Sequence, residues 1–383
     1  MELHGIEEII ADVRKGRMVV VLDDDQNKGH NEGVLIMAAE HVRADQVNFM
    51  ARKARGLVCL TLTEQRCRLL GLPPMAVNPL GEKSNFTVSI EAREGISTGI
   101  SAADRARTIQ AAISPTAVAD DIVQPGHVFP LAAVDGGVLI RAGHTEAATD
   151  IARLAGLQPA AMIADILNPE GSLASGGELL EFARQHQLKI GSIADLIHFR
   201  LLGERTIHKS RKGPVQTRYG EFQLAAYRDQ TTGHVHLALY QGRIRAAEPT
   251  LVRVHSPAAV RDMLCAEAPG RPSWDLGSCL QAVSEAGCGV VVLLAGQETG
   301  AQLLHSIDIA LGKAEAEPLD EGNTYMNVGL GSQILRDLGV GKIRLMGAPI
   351  KYNAISGFDL EVVEYLSPLG RSTKARIEQE NMK

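Results

Sequence analysis

Apolar and polar positions alternate along the chain in two different rhythms. Residues 6–15 place Ile6, Ile9, Ile10 and Val13 at the i, i+3, i+4, i+7 spacing of one helical face, which predicts a helix with a single buried side. The uninterrupted β-branched run MVVVL at 18–22 predicts a buried strand. The polar run 23–33 behind it predicts a loop at the strand's C-terminal end, where α/β sheets gather their chemistry. The same rhythms predict strands at 57–62 and 86–90 and helices at 102–112 and 146–155. Farther on they predict strands at 217–226, 234–240, 250–255 and 290–294, with a helix at 276–286. Both halves therefore read as mixed α/β. Between them HKSRKGP (208–214) is basic, polar and closed by Gly-Pro, which predicts an exposed linker joining a domain at 1–207 to one at 215–368. Residues 369–383 predict a frayed, charged tail.

Charge and composition narrow the partners. A net charge of -6 argues against a general nucleic-acid binder but leaves room for a local anion site that takes a small phosphorylated substrate. No apolar run reaches the ~18 residues of a membrane span. The opening MELHGIEEIIADVRKG has no apolar stretch followed by a small-residue cleavage site, so a cytoplasmic location is expected. Five cysteines, with no C-x-x-C pair, predict reduced thiols, and Cys279 and Cys288 are expected in the core.

Four polar clusters interrupt the apolar segments of the first half. They are Asp23 with its loop through His30, Asn31 and Glu32, then STGIS (97–101), QPGH (124–127) and RAGHTE (141–146). With FTVSIEA (86–92), STGISAADR (97–105), PGHVFPL (125–131) and GGVLIRAGHTEA (136–147), residues 6–202 resemble 3,4-dihydroxy-2-butanone 4-phosphate synthase nearly end to end. That resemblance implies an α/β sandwich, a homodimer, and a divalent cation that helps turn ribulose 5-phosphate into a four-carbon phosphate and formate. It implies His144 as a metal ligand, and Arg141, Gly143 and Thr145 along the substrate and its phosphate, with Thr98 and Asp23 beside it. His127 would transfer protons, and Asp165, in IADILNPEG, stands one methylene short of the family's glutamate.

The loop departs from the family pattern D-D-E-D-R-E-N-E-G-D. It is about two residues longer, and His30, Gly29 and Val34 stand where the pattern has Glu, Arg and Asp. His30 with His144 would favour Mn²⁺ or another transition metal over Mg²⁺, because imidazole replaces a hard oxygen donor. Alternatively Glu32 or an aspartate of the 23–25 run supplies the oxygen, and Lys28 the cation lost at Gly29. Drift in a loop that has lost its job is the competing explanation.

Residues 213–367 resemble GTP cyclohydrolase II through YGEF (219–222), VRVHS (252–256), GCGV (287–290) and VGLGSQIL (328–335). Its three zinc thiolates are missing: the first position is Ala258, and the C-x-C region reads GRPSW (270–274). No zinc and no cyclohydrolase activity are expected there. Together these readings point to a lyase of the synthase type, against two rivals: an enzyme recruited to another substrate, and a silent binding or regulatory protein.

Overall fold

The computed structural model describes residues 3–23, 32–76, 85–266, 273–296, 298–314, 321–347, 358–368 and 372–374. The chain divides into two compact units, the first essentially Met1–Phe199 and the second Arg200–Leu319 with Asn323–Lys383.

The first unit runs α1 (Ile6–Arg14), β1 (Val19–Asp23), β2 (Glu32–Ala38), α2 (Ala44–Lys53), β3 (Cys59–Thr63), α3 (Glu64–Leu69), β4 (Ile90–Ala92), α4 (Ala102–Ile113), β5 (Ile122–Ala133), α5 (His144–Leu154), β6 (Ala160–Asp165), α6 (Gly177–Gln185) and β7 (Lys189–Ser192). Its seven strands form one sheet in the order β4-β5-β3-β6-β2-β1-β7. Alternation along the central strands splits their side chains between two faces. Val20, Leu22, Leu35, Met37, Leu60, Leu62 and Met162 join a core with Val47 and Met50 of α2, Ile109 of α4 and Leu179 of α6. The opposite face packs against α5, where the Thr149 hydroxyl donates to the Thr61 hydroxyl at 3.1 Å. The same Thr61 oxygen accepts the Ala161 N–H at 3.2 Å, which ties α5 to β6 through one buried hydroxyl.

Register brings one end of this sheet together. Asp23 at the end of β1 pairs with Glu32 at the start of β2, and Val34 pairs with Asp165 at the end of β6. Cys59 pairs with Phe129 on one side and Ile163 on the other, which sets His127 of β5 level with Asp165. All four polar residues therefore lie at a single edge of the sheet. Glu32 and Gly33 belong to β2, so the loop expected over 23–33 is shorter than the sequence suggests.

The second unit contains β8 (Ile207–Thr217), β9 (Gly220–Asp229), β10 (Val235–Gln241), β11 (Pro249–His255), α8 (Ala259–Asp262), α9 (Leu276–Ala286), β12 (Gly289–Leu293), α10 (Gly300–Ala310), α11 (Glu321–Asp337), β13 (Lys342–Met346), β14 (Glu361–Leu366) and β15 (Ser372–Lys374). The division between the units falls within α7 (Ile193–Gly203). Its eight-stranded sheet is ordered β15-β14-β13-β11-β12-β10-β9-β8. One face buries Tyr227, Val252 and Val292 with Leu330 and Ile334 of α11, and the other buries Phe222, Leu251 and Val291 with Cys279 and Val283 of α9.

The linker expected at 208–214 is not a linker. Those residues are the body of β8, paired with β9 from Ile207 to Thr217. As an edge strand exposed on one side, β8 carries the lysines and arginines that discourage edge-to-edge pairing, and this gives it the composition of a linker. Of the tail expected at 369–383, residues 372–374 form β15 and the others lie outside the described residues.

Candidate active site

At the convergent edge of the first sheet stands His144, the first residue of α5. Its ring donates a hydrogen bond to the Val21 backbone, and its buried Nε2 has no hydrogen-bond partner among the described residues. Because Nδ1 makes the donation, the Nε2 lone pair is the free one, the tautomer in which a histidine binds a metal. Burial pushes the imidazole below its ordinary value, against the opposing pull of the Asp23, Asp165 and Glu32 carboxylates. One imidazole nitrogen and several carboxylate oxygens are chemically suited to a divalent cation. Among the described residues no three such side chains already close into a ligand set. His30 and Lys28, expected in this site, lie outside the described residues.

Just ahead of α5, Arg141 is held rather than free. Its guanidinium donates to Asn85 Oδ1, to the Glu146 carboxylate and, at 3.3 Å, to the Ala132 carbonyl. Glu146 is fully buried and also accepts the Val134 N–H at 3.0 Å. Gly143 is the residue preceding α5 and has no capping side chain, so the first N–H groups of the helix, at His144, Thr145 and Glu146, have no cap to satisfy them. An arginine beside an uncapped helix N-terminus is suited to a phosphate.

A second polar cluster lies on β4, β5 and the loop before α4. The His127 ring and backbone N–H both bond Glu91 Oε1, the latter at 3.1 Å. Thr98 is exposed in a loop fixed from below by Asp104, which accepts the Ser97 hydroxyl at 2.7 Å and the Ser97 and Gly99 N–H groups at 3.1 Å. Those bonds, with the Ser97 hydroxyl foremost, hold the Asp104 carboxyl below the usual carboxylate range.

Residues 7–199 match the family described as 3,4-dihydroxy-2-butanone 4-phosphate synthase. A relative in Pseudomonas aeruginosa, named 3,4-dihydroxy-2-butanone 4-phosphate synthase, is 55% identical over 96% of this chain and 99% of its own. The chain belongs to the 3,4-dihydroxy-2-butanone 4-phosphate synthase family. Residues 208–367 match the family GTP cyclohydrolase II. The riboflavin biosynthesis protein RibBA of Aquifex aeolicus is 45% identical over 95% of this chain and 92% of its own. Both families thus recur in one chain elsewhere. Among solved structures, RibBX of A. baumannii, a two-domain 3,4-dihydroxy-2-butanone 4-phosphate synthase, has 44% identity and a TM-score of 0.81, covering 94% of this chain and 99% of that one. The architecture is accordingly a synthase unit followed by a cyclohydrolase-like α/β unit.

Two residues of the synthase unit were given no role by the sequence reading, Glu91 and Asp104, and Glu146 was marked only as the end of the RAGHTE cluster. Each is an acidic residue buried in an otherwise ordinary strand or helix. That signal was present in FTVSIEA, where a lone carboxylate ends an apolar strand.

In the cyclohydrolase-like unit the position of the first thiolate, Ala258, is part of a different construction. Asp262 accepts hydrogen bonds from the Ala258 N–H at 2.8 Å, the Leu276 N–H at 3.0 Å, His255 Nε2 at 2.9 Å and Arg261 Nη2 at 2.9 Å. Arg253 faces His255 Nδ1 at 3.4 Å, which leaves Nε2 as the donor to Asp262. The cysteines do not gather: Cys265 is exposed, Cys288 is half-buried, and burial pushes the Cys279 thiol up to about 12. Cys288 therefore corrects the expectation of a core thiol; its sulfur lies 3.8 Å from the Arg243 carbonyl. Among the described residues of this unit no three cysteines or histidines gather as a zinc tripod.

Proposed function

We propose that this protein is a divalent-metal-dependent lyase that converts ribulose 5-phosphate, or a close sugar phosphate, to a four-carbon phosphate with release of formate. The observation that carries the proposal is the buried His144 Nε2, without a partner among the described residues and close to the carboxylates of Asp23, Glu32 and Asp165. Arg141, Gly143 and Thr145 stand beside it at the uncapped start of α5. In this reading His144 holds the cation with a carboxylate oxygen from Glu32 or Asp23 and with His30. The cation, when bound, polarises adjacent substrate oxygens. Arg141 and the first N–H groups of α5 orient the phosphate, and Thr145 and Lys28 lie along the substrate. Thr98 closes over it from the opposite loop. Asp165, exposed at the end of its strand, and Glu32 move protons near the metal, and His127 moves them at the far end of the substrate. The reading includes a homodimer, a small-molecule substrate, and neither nucleic acid nor membrane as a partner; no helix among the described residues is long and apolar enough to cross a membrane.

A formate assay with ribulose 5-phosphate and each of Mg²⁺ and Mn²⁺ tests the proposal. Turnover is expected with Mn²⁺ and to be much slower with Mg²⁺, because His30 contributes a nitrogen where the family pattern has an oxygen. Absence of formate with every divalent ion would overturn the lyase reading. Equal rates with both ions would instead assign the ligand position to a carboxylate.

The second unit carries no zinc and no GTP cyclohydrolase activity in this proposal, since Ala258 and its neighbours are committed to Asp262. Elemental analysis of the purified full-length protein is expected to show less than stoichiometric zinc. One tightly held zinc per chain, lost on replacing Cys265 or Cys279, would refute this.

A further inference from the structure

We propose that Glu91 is the positioning residue of His127: its carboxylate holds the imidazole with Nδ1 protonated and Nε2 presented for proton transfer, and balances the charge of the imidazolium that forms. This inference rests on the lyase reading above and deepens it at one residue.

Glu91 is 8% exposed and spends one oxygen, Oε1, on both the backbone N–H and the ring Nδ1 of His127. A carboxylate offers only lone pairs, so Nδ1 must carry the proton and Nε2 the free pair. Two glycines make room for that carboxylate. A methyl group on Gly99 would overlap the Glu91 carboxylate, and one on Gly126 would overlap the Glu91 side chain and the Ile90 backbone. Gly99 also needs its left-handed φ of 86°. The segment around Gly99 is in turn tied to α4 by Asp104, and the Gly126 N–H is donated to Ser89 Oγ at 3.1 Å. Two segments far apart in sequence, the loop at Gly99 and strand β5 at Gly126, are thus shaped around one carboxylate, whose side-chain partner is His127. His127 itself is exposed, so its outer nitrogen is open to a substrate.

The arrangement reproduces the logic of a carboxylate behind a catalytic imidazole, where the carboxylate stays ionised and stabilises the transient cation. In the step considered, a substrate O–H or C–H bond breaks and its electron pair stays on the substrate. The proton binds Nε2, and Glu91 offsets the new charge until the proton is returned.

Glu91→Gln preserves the volume and one acceptor oxygen and removes the charge. With the full-length protein, kcat for formate release is expected to fall about 10- to 100-fold while KM stays within about twofold. Adding His127→Ala to Glu91→Gln is expected to cost much less than His127→Ala costs alone, because the two residues act as one unit. A purely structural Glu91 predicts the reverse, an unchanged kcat in the folded Glu91→Gln protein or additive losses, and either result would overturn the proposal. A second readout does not need turnover. In ¹⁵N-histidine-labelled protein, the His127 ring, assigned by its loss in His127→Gln, is expected to show a protonated Nδ1, and to lose that preference in Glu91→Leu. If formate release fails in the unaltered protein while this signature is present, the reading of the reaction falls and the positioning role stands. A ring protonated on Nε2 in the unaltered protein overturns the positioning role whatever the reaction.

Discussion

Replacing His144 by alanine is expected to reduce formate release by roughly three orders of magnitude or more, with the protein still folded. The size follows from the task. A cation polarising substrate oxygens supplies several kcal/mol of transition-state stabilisation, and each ~1.4 kcal/mol is tenfold in rate. Among the described residues His144 Nε2 has no partner, so the one hydrogen bond the variant forfeits there is the ring's bond to the Val21 backbone, about 1 kcal/mol of stability. Binding of Mn²⁺, followed by its paramagnetic resonance, should weaken in parallel with turnover. Cys288→Ala is the control, because its thiol lies in the other unit, 3.8 Å from the Arg243 carbonyl. Turnover in folded His144→Ala within tenfold of the unaltered protein would remove His144 from the metal site.

The largest effect on stability is expected at Asp262. Asp262→Ala leaves His255, which is fully buried, and the Arg261 guanidinium without their shared acceptor, and strands the N–H groups of Ala258 and Leu276. Removing one partner of such a buried pair costs about 3 to 5 kcal/mol. In a unit of this length that lowers the melting temperature by roughly 10 °C. Differential scanning calorimetry should show the loss in the transition of the second unit, and a shift under 2 °C would contradict it.

The same cluster gives the unit a directional response to pH. Hydrogen bonds from Arg261 and Ala258 and the nearby His255 hold the Asp262 carboxyl well below the usual carboxylate range, despite burial. Stability from that group is present above the unfolded carboxylate value near 4 and is lost as pH falls toward the folded one. Burial lowers the His255 imidazole as well, so below its ordinary value of about 6.5 the unfolded chain takes up the proton first. Both groups therefore destabilise the unit on acidification and neither does so on raising the pH.

Much of the fold was legible wherever burial imposes a rhythm. The helix at α9 and the strands β1, β11 and β12 are continuous apolar or periodic runs, and their ends fall within a residue or so of the expected positions. Legibility failed where a strand is not buried. β8 has the composition of a linker because its outer side faces solvent at the sheet edge, and QPGH, singled out only as a polar cluster, lies inside β5. At the site, the residues that touch substrate or metal in the proposal were marked by polar clusters. Two of their supports were not: Glu91 and Asp104 act across 36 and 7 residues of sequence, on His127 and Ser97 respectively. Asp262 sits in a four-residue helix with no periodicity, and its partners meet only after β11, α8 and α9 have packed. Such groups leave no local pattern because their pairing is a property of the folded chain.

The register between Asp23 and Glu32 carries one further implication. Because those two residues face each other as neighbouring strand partners, the eight residues 24–31 begin and end at points a few ångströms apart, fixed by the sheet. Closing such a segment costs free energy that grows only with the logarithm of its length, so two residues more or fewer change it by about 0.2 kcal/mol. The sheet is thus a socket into which segments of different length and chemistry can be inherited or transplanted with little penalty. Selection could therefore alter the ion a protein of this family prefers through the inserted segment alone, leaving the fold that receives it untouched.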